Sequence, residues 1–441
     1  MNSQTVGRYA MVLIGVAIVG CSAVTQPPVS PPPSPTPSST PSPSPSSTSS
    51  ELPIATPTSP STPAPAESIP PSPASSELHW QQIGTVGGPD FRRGEYDELV
   101  ALIGFDAGYL AFERIVGSED QWANRIWFSS DGSEWEDVTP TGSEITLGHS
   151  AVERSVATNG REVLMIARSP HVGSAWLTAD GRHWQETAPD LMPERDWAAL
   201  AVWPITAGWQ ALFYESYERD CDNDFYGCFR TTVWQSPDGV TWQRLSTVSR
   251  DDSDEAAGAA HEDGTTVVAA GYHRLVKSLD GGLTWDPLGN ADGCLMRSAT
   301  VVVRPSPPTV VQWLIADSPF EGGGVQVCTS PGDLATWHRA SLPTTSSINR
   351  LDVIWTGHGY LLSARRWCEE PPGCPPNVEQ YVSAEGQSWT AIDSAVADLG
   401  DATDMHLSDG PAGVIGLATY GFSPRVPGYS TVSAFRLAGG D

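Results

Sequence analysis

Seven polar side chains stand where apolar, strand-like runs end, and their types suit them to bind or transform a ligand. They are three arginines, two carboxylates and two tyrosines: Arg114, Arg168, Glu215, Tyr272, Asp317, Arg365 and Tyr420. Arginine recognises anionic groups through paired hydrogen bonds, so the set suits an anionic or polyhydroxylated ligand. A carboxylate among them would serve as a general acid or base if it were removed from water. Polar residues placed at strand ends by chance would give the same pattern.

Long loops that follow these runs carry aromatic side chains. The loops span residues 116–124, 169–173, 216–227, 318–324 and 366–378. Their aromatic residues include Trp122, Phe225, Tyr226 and Trp367. Such rings stack on sugars or anchor a protein partner. We therefore expect these loops and the strand ends to form one ligand-binding face.

Six cysteines remain in the body of the chain once Cys21 is set aside. Two pairs are close in sequence, so each could close a small loop, and elimination leaves the third pair, although six cysteines allow other pairings. Zinc is the alternative use, but the chain has no C-x-x-C pair, and disulfides form in oxidising compartments. The predicted disulfides are Cys221–Cys228, Cys294–Cys328 and Cys368–Cys374.

Alternating carboxylates between Asp220 and Asp224 have a spacing that hard cations favour, yet the glycine of a calcium loop is absent. Calcium at this stretch is thus an alternative, and we expect no other cofactor. The nine histidines are scattered, which does not suggest a histidine metal site. The chain also lacks G-x-S-x-G, H-E-x-x-H and phosphate-loop motifs, so the sequence assigns no catalytic residue.

One short pattern recurs along the body: two strand-like runs around an Asp-Gly pair, closed by a Trp. Its copies span residues 127–135, 176–184, 234–242, 278–285, 330–337 and 383–389, the last two in degraded form. The Asp-Gly pair supplies the positive φ that a tight hairpin needs, and alternation directs the final Trp into a core. The pattern predicts a structural role for Asp131, Asp180, Asp238, Asp280 and Asp333.

These copies resemble the Asp box of bacterial neuraminidase repeats, S-x-D-x-G-x-T-W, which occurs in sialidases, sortilin-type receptors, xyloglucanases and photosystem II assembly factors. The resemblance implies a β-propeller with the box at the turn between the third and fourth strands of each blade. It also implies that the Asp holds its own turn, on the face away from an active site.

The spacing of the tryptophans that close the copies indicates the number of blades. They are Trp135, Trp184, Trp242, Trp285, Trp337 and Trp389, and one more step of similar length reaches the C-terminus. Residues 78–83 look like a fourth strand without a box, while residues 414–420 and 430–436 look like inner strands without a fourth. An N-terminal strand that completes a last blade would close the ring. We therefore predict an all-β, seven-bladed propeller over residues 78–441, with six blades as the alternative.

The catalytic features of these families are not carried over. Sialidases have six blades and a Phe/Tyr-Arg-Ile-Pro motif that begins an arginine triad. The nearest string here, Phe112–Val116, contains an inserted Glu and lacks the Pro. Xyloglucanases work between two propellers, and the photosystem factors use a basic patch that this acidic body does not obviously have. The sequence thus favours a non-catalytic binding or scaffold module for a glycan or protein ligand, with a divergent sialidase-like glycoside hydrolase as the alternative.

The N-terminus carries an export signal. Arg8 precedes an apolar run, residues 9–20, that is too short to cross a bilayer of about 30 Å as a helix. The run ends in Ile18–Cys21, which resembles the bacterial lipobox. The resemblance implies that residues 1–20 are a removed signal peptide and that Cys21 carries the lipid that anchors the protein on the extracytoplasmic side of the cell membrane.

Amino-acid composition characterises the segment between the signal peptide and the propeller, and the charge of the whole chain. Residues 21–77 are so rich in Pro, Ser and Thr that they have little to bury, and we predict a disordered tether between the lipidated Cys21 and the propeller. The whole chain has a formal net charge of −28. A phosphate backbone requires a cationic face, so nucleic acid is excluded as a partner, and membrane contact is expected only through the lipid.

Overall fold

The structure is a computed structural model that describes the chain in segments from Leu78 onward. All of these lie in one compact unit, Ser68–Asp441. The described residues are 78–87, 98–116, 122–140, 155–168, 173–192, 197–217, 228–249, 256–260, 265–270, 275–288, 299–303, 312–317, 326–331, 334, 336–342, 348–366, 378–392, 399, 402–420 and 431–438, without the side chains of several residues at strand ends. The predicted signal peptide, the lipidation site Cys21 and the tether lie outside them.

The described residues form 28 strands, which are arranged in seven antiparallel four-stranded sheets. Sheet 1 consists of β2 (Glu98–Phe105), β3 (Gly108–Val116), β4 (Trp122–Ser129) and β5 (Glu136–Asp137). Sheet 2 consists of β6 (Val156–Thr158), β7 (Val163–Arg168), β8 (Gly173–Thr178) and β9 (Gln185–Met192). Sheet 3 consists of β10 (Trp197–Ile205), β11 (Gly208–Tyr217), β12 (Cys228–Ser236) and β13 (Gln243–Ser249).

The remaining sheets follow the same order along the chain, except for the last. Sheet 4 consists of β14 (Ala256–Ala260), β15 (Thr266–Ala270), β16 (Leu275–Ser278) and β17 (Asp286–Pro287). Sheet 5 consists of β18 (Ala299–Val303), β19 (Gln312–Asp317), β20 (Gln326–Pro331) and β21 (His338–Ser341). Sheet 6 consists of β22 (Ile348–Trp355), β23 (Tyr360–Arg366), β24 (Val378–Ser383) and β25 (Thr390–Ala391). Sheet 7 consists of β26 (Ala402–Gly410), β27 (Gly413–Tyr420), β28 (Thr431–Ala438) and the N-terminal β1 (His79–Thr85).

The described residues contain no helix, so the all-β prediction is confirmed for them. A membrane-spanning helix is therefore also absent from the described residues. In sheet 7 the N-terminal strand pairs antiparallel with the last strand of the chain, with Trp80 opposite Leu437. Cys328 in β20 is buried and disulfide-bonded. Its predicted partner Cys294 lies outside the described residues, as does at least one cysteine of each other predicted pair.

The first strands of neighbouring sheets touch one another in a closed cycle. Contacts run from β2 to β6, β10, β14, β18, β22 and β26, and from β26 back to β2. Apolar side chains fill the spaces between neighbouring sheets. Between sheets 1 and 2, for example, Phe112 and Ile126 pack with Val163 and Met165. Each sheet therefore depends on its neighbours to bury its two apolar faces.

The turns that carry the repeated Asp-Gly pair are held by their own side chains. In the second copy, Asp180 Oδ1 accepts hydrogen bonds from the backbone N–H groups of Arg182 and His183, at 2.9 and 2.8 Å. Burial raises the pKa of the Asp180 carboxyl, but these hydrogen bonds and the His183 ring outweigh it and hold the pKa well below its usual range. Corresponding bonds to the backbone are made by Asp131, Asp238 and Asp280, while Asp333 lies outside the described residues.

In two of these turns the glycine lies closely against a neighbouring sheet. Gly181 has a φ of +76°, and a Cβ at this position would lie 2.3 Å from the Phe128 ring of sheet 1. Gly132, in the turn of sheet 1, similarly faces Ile415 of sheet 7. Glycine is therefore required twice, by its backbone conformation and by the close approach of the neighbouring sheet.

A tyrosine joins sheet 1 to the turn between β26 and β27 of sheet 7, which lies near the C-terminal end of the described chain. The Tyr109 hydroxyl donates to the carbonyl of Gly413 at 2.6 Å and accepts from the N–H of Ala412 at 3.0 Å. Nearby, the N–H of Gly104 donates to Ser408 Oγ at 2.6 Å. Burial raises the pKa of Tyr109 to about 12, so its hydroxyl keeps the proton that it donates. We refer to this junction as the seam.

Candidate ligand-binding site

Antiparallel pairing brings the start of each first strand beside the end of the second strand in its sheet. Glu98, the first residue of β2, is thus opposite Arg114 near the end of β3. In sheet 6, Arg350 of β22 is opposite Arg365 of β23. The same end of sheet 7 carries Asp404 in β26. All five charged residues therefore come from equivalent ends of sheets 1, 6 and 7.

A bulge interrupts the pairing near the start of each of these first strands. The register shifts between Leu99 and Ala101 in β2, after Ile348 in β22, and between Ala402 and Asp404 in β26. A bulge inserts an extra residue and changes the direction of the side chains that follow. The bulges thus alter the simple alternation of buried and exposed positions at the point where the charged residues occur.

Ion pairs connect these residues into one group, which we call the arginine cluster: Glu98, Arg114, Arg350, Arg365, Asp404 and His406. Arg114 pairs with Glu98 Oε2, and Glu98 Oε1 lies 3.7 Å from Arg365 Nη1. Arg365 Nη1 donates to Asp404 Oδ2 at 3.0 Å, and Arg350 Nη1 donates to the same oxygen at 3.3 Å. Opposite charges therefore alternate across the three sheets.

His406 completes the buried end of the arginine cluster. Arg350 Nη2 lies 3.2 Å from His406 Nδ1, and His406 Nε2 lies 2.9 Å from the carbonyl oxygen of Leu99. Arginine can only donate, so Nδ1 accepts and Nε2 carries the proton that is donated to Leu99. Burial and the Arg350 charge lower the pKa of His406 to about 3. The ring is therefore neutral at neutral pH.

Asp404 is the fixed anion of the cluster. Its side chain is 7% exposed, whereas that of Glu98 is 32% exposed. Burial raises the pKa of Asp404, but the charges of Arg350 and Arg365 outweigh it and hold the pKa below its usual value. The cluster thus brings three guanidinium groups together with two carboxylates within a strongly acidic chain. Guanidinium groups gathered in this way suit the recognition of a carboxylate or another anion.

Glu215, which the sequence suggested as an acid or base, lies in another group in sheet 3. Its Oε2 accepts from Arg230 Nε at 2.8 Å, and its Oε1 accepts from Thr232 Oγ1 at 2.5 Å and Trp234 Nε1 at 3.1 Å. Sheet 1 repeats the arrangement, because Glu113 accepts from Trp127 Nε1 at 2.9 Å and pairs with Arg125. A motif used in two sheets to join their second and third strands indicates a structural carboxylate.

Of the seven predicted strand-end residues, the structure brings Arg114 and Arg365 together. Tyr420 ends β27 opposite Ala402 and packs partly buried on the core between sheets 6 and 7. Arg168, Asp317 and Trp122 lie at the ends of β7 and β19 and at the start of β4, but their side chains are not described. Outside the described residues lie Tyr272, Phe225, Tyr226, Trp367 and the Asp220–Asp224 stretch.

Sequence reasoning missed four members of the cluster: Glu98, Arg350, Asp404 and His406. All lie near the starts of first strands, whereas the predicted residues lie near the ends of second strands. Antiparallel pairing could have indicated them, because it places the end of a second strand beside the start of the first strand in the same sheet. Asp404 and His406 also stand two residues apart in β26, as do side chains on one face of a sheet.

The described residues contain no group of three or more His, Cys, Asp or Glu side chains that could hold a metal ion. An open depression of about 900 Å³ lies at the opposite end of the sheets, among the turns of sheets 2 and 3. Its lining includes Arg161, Glu162, Ile205, Pro237 and Asp238. The ion pairs of the arginine cluster and this depression share no residue.

No protein-family model matches the chain, and no curated protein matches it. Among solved structures that resemble it is YCF48 bound to D1 peptide, with 14% identity, 84% of this chain and 99% of the other covered, and a TM-score of 0.43. The fucose-specific lectin from Aleuria aurantia has 9% identity, coverages of 73% and 96%, and a TM-score of 0.41. An intramolecular trans-sialidase from Ruminococcus gnavus, in complex with oseltamivir carboxylate, has 12% identity, coverages of 81% and 98%, and a TM-score of 0.41. With TM-scores below 0.5, these similarities assign no blade number, activity or ligand to this chain.

Proposed function

We propose that this chain is a lipid-anchored extracytoplasmic protein whose seven sheets are the blades of one closed β-propeller, and that the propeller binds an acidic ligand without transforming it. The closed cycle of first strands and the place of β1 in sheet 7 support a ring of seven blades. The lipobox-like Ile18–Cys21 supports the anchor. Metabolic labelling with a radioactive fatty acid tests it: the intact chain is labelled and Cys21→Ser is not.

The observation that carries the binding function is the arginine cluster. Arg114, Arg350 and Arg365 converge from two sheets on two carboxylates, Glu98 and Asp404. Planar guanidinium groups pair with carboxylates in two-point hydrogen bonds, and partial burial strengthens such bonds. The ligand class that matches this chemistry is a glycan with a carboxylated sugar. A protein ligand with acidic side chains has the same charged group and is an alternative outcome of the test.

The test uses the full chain with Cys21→Ser, so that no lipid is present. It is titrated with D-glucuronate and with D-glucose, which differ in the carboxylate, and it is applied to arrays of acidic glycans and acidic peptides. We expect glucuronate to bind and glucose not to bind. Arg365→Gln should weaken glucuronate binding by about tenfold, since a hydrogen bond to a charged group contributes about 1.5–3 kcal/mol.

Arg182→Gln is the matched control. Arg182 lies in the Asp-Gly turn of sheet 2, at the other end of the strands, where it pairs with Glu136 at 2.5 Å and is 50% exposed. This variant removes the same charge from the chain and should bind glucuronate as the unchanged protein does. Equal losses in the two variants would show that net charge, rather than the arginine cluster, attracts the ligand. Absence of binding to every acidic probe would refute the proposed function.

Three clustered arginines also suit a hydrolase for acidic glycosides, which is the alternative. The hydrogen bonds of Glu215 fit a structural carboxylate better than a proton donor. The alternative is tested by release of sugar from sialosides and acidic polysaccharides, with Glu215→Gln and Asp317→Asn as the variants. Turnover that either variant abolishes would replace the binding function with an enzymatic one.

A further inference from the structure

We propose that Glu98 is an internal competitor that occupies, between Arg114 and Arg365, the place of the ligand's carboxylate. This inference rests on the proposed function, because it concerns the same site. It makes Glu98 a specificity-determining residue, since any ligand must displace it to reach both arginines.

Geometry distinguishes the two carboxylates of the cluster. Asp404 Oδ2 accepts from Arg365 at 3.0 Å and Arg350 at 3.3 Å, and its Oδ1 accepts from its neighbour's backbone, the N–H of Met405, at 2.9 Å. Glu98 pairs closely with Arg114 but is 3.7 Å from Arg365, beyond normal hydrogen-bond length. Asp404 is thus held from several sides, and Glu98 mainly from one.

Exposure leads to the same distinction. The Glu98 side chain is 32% exposed and that of Asp404 is 7% exposed. An ion pair that remains in contact with water contributes little net stability, because water solvates both partners well when they separate. Removing Asp404, in contrast, would leave two mostly buried guanidinium groups without their shared anion. Of the two carboxylates, Glu98 is therefore the one that an incoming anion can replace.

The exchange conserves the charge of the occupied cluster. When a ligand carboxylate replaces Glu98, the three arginines still face two anions, namely the ligand and Asp404, and Glu98 is returned to water. A neutral sugar offers no charge to replace the one that leaves, so it cannot compensate for separating Glu98 from Arg114. Competition by Glu98 should therefore exclude neutral sugars and weakly bound anions, and admit ligands that reach both arginines.

The experiment compares Glu98→Gln with the unchanged protein in titrations with D-glucuronate, D-glucose and chloride. Without the competing charge, the affinity for glucuronate should rise by up to about fivefold, the upper end expected for a partly exposed ion pair. Chloride should compete with glucuronate more strongly in Glu98→Gln than in the unchanged protein. Glucose should still not bind. Thermal unfolding of each variant shows that it is folded.

Glu379→Gln is the matched control. Glu379 lies in β24, opposite Ala364 and so one position from Arg365 in register, and it accepts a hydrogen bond from Tyr381 at 2.7 Å. Glutamine retains an acceptor oxygen and removes the same charge at the same end of the sheets. A rise in affinity confined to Glu98→Gln supports competition by Glu98.

The remaining outcomes each overturn a proposal. If the unchanged protein binds glucuronate and Glu98→Gln binds it more weakly, Glu98 is itself a part of the binding site. If the two proteins bind it equally, Glu98 has no role in binding. In both cases the proposed function stands and the competitor is rejected. If both Glu→Gln variants gain affinity equally, long-range charge accounts for the effect and the competitor is again rejected. If neither the unchanged protein nor Glu98→Gln binds any acidic probe, the proposed function itself fails.

Discussion

Acidification should destabilise this protein before its carboxylates titrate, because His406 is buried in the neutral form. In the unfolded chain a histidine takes up a proton near pH 6.5. In the folded chain burial and Arg350 lower the pKa of His406 to about 3, so the ring stays neutral. Between these two values the unfolded state binds one proton more than the folded state. The free energy of unfolding must therefore fall as the pH falls from about 6.5 towards 3.

The size of the effect follows from the width of that interval. Each pH unit below the unfolded pKa costs about 1.4 kcal/mol per proton. At pH 4.5, about two units below, the loss from His406 is about 3 kcal/mol. The Asp404 carboxylate, which Arg350 and Arg365 hold, acts in a lower pH range, because its lowered pKa contributes stability that is present above about pH 4 and is lost only below it. The interval from pH 6.5 to 4.5 thus isolates the histidine.

Urea unfolding at closely spaced pH values measures the effect, with His406→Gln as the informative variant. Glutamine has an N–H group that can donate to the Leu99 carbonyl, but it does not titrate. His358→Gln is the control, since His358 is exposed in the turn between β22 and β23. The unchanged protein and His358→Gln should lose about 2–3 kcal/mol more than His406→Gln between pH 6.5 and 4.5. Parallel curves for all three proteins would show that His406 is not a buried neutral residue in solution.

Further predictions concern the glycine turns, the seam and the ligand. Gly181→Ala should lower the free energy of unfolding by about 2–4 kcal/mol, because it strains the turn and its Cβ would meet the Phe128 ring. Gly160 also has a positive φ, +91°, but a Cβ there would have no atom within 4 Å, so Gly160→Ala should lose only about 1 kcal/mol. Denaturant unfolding compares the two variants. Tyr109→Phe should lose about 1–3 kcal/mol in the same assay, because it removes two partly buried hydrogen bonds of the seam, and an unchanged midpoint would contradict the role of its hydroxyl. Arg365→Gln should bind glucuronate about tenfold more weakly in titration calorimetry while Arg182→Gln does not.

Local signals made much of the fold predictable. An Asp-Gly pair before a closing Trp determines a hairpin within ten residues, and in the copies around Asp131, Asp180, Asp238 and Asp280 the carboxylate accepts backbone hydrogen bonds in its own turn. The N-terminal strand could be placed because the last unit of the repeat lacked a fourth strand, while residues 78–83 looked like a fourth strand without a unit of their own. Both inferences need only neighbouring residues or the count of a repeat.

The arginine cluster could be predicted only in part, for physical reasons. Arg114 and Arg365 were found because they end apolar runs. Their partners depend on the register of the first strands, and bulges near Leu99, Ile348 and Ala402 shift that register by one residue. No local sequence pattern predicts such a shift in register. Glu215 is a second case, because its partners on β12 are likewise set by strand pairing and could not be read from the local sequence.

The cluster exists only when distant parts of the chain have met. Glu98 and Arg114 belong to sheet 1, whereas Arg365 and Asp404 belong to sheets 6 and 7, and Arg350 donates to the carbonyl of Val100 at 2.8 Å across that distance in sequence. The same junction is the seam where Tyr109 joins sheet 1 to sheet 7. Under the proposed function, a ligand that bridges Arg114 and Arg365 binds the closed arrangement and not an opened one. By linkage it must stabilise the seam, so binding and closure of the cycle support each other.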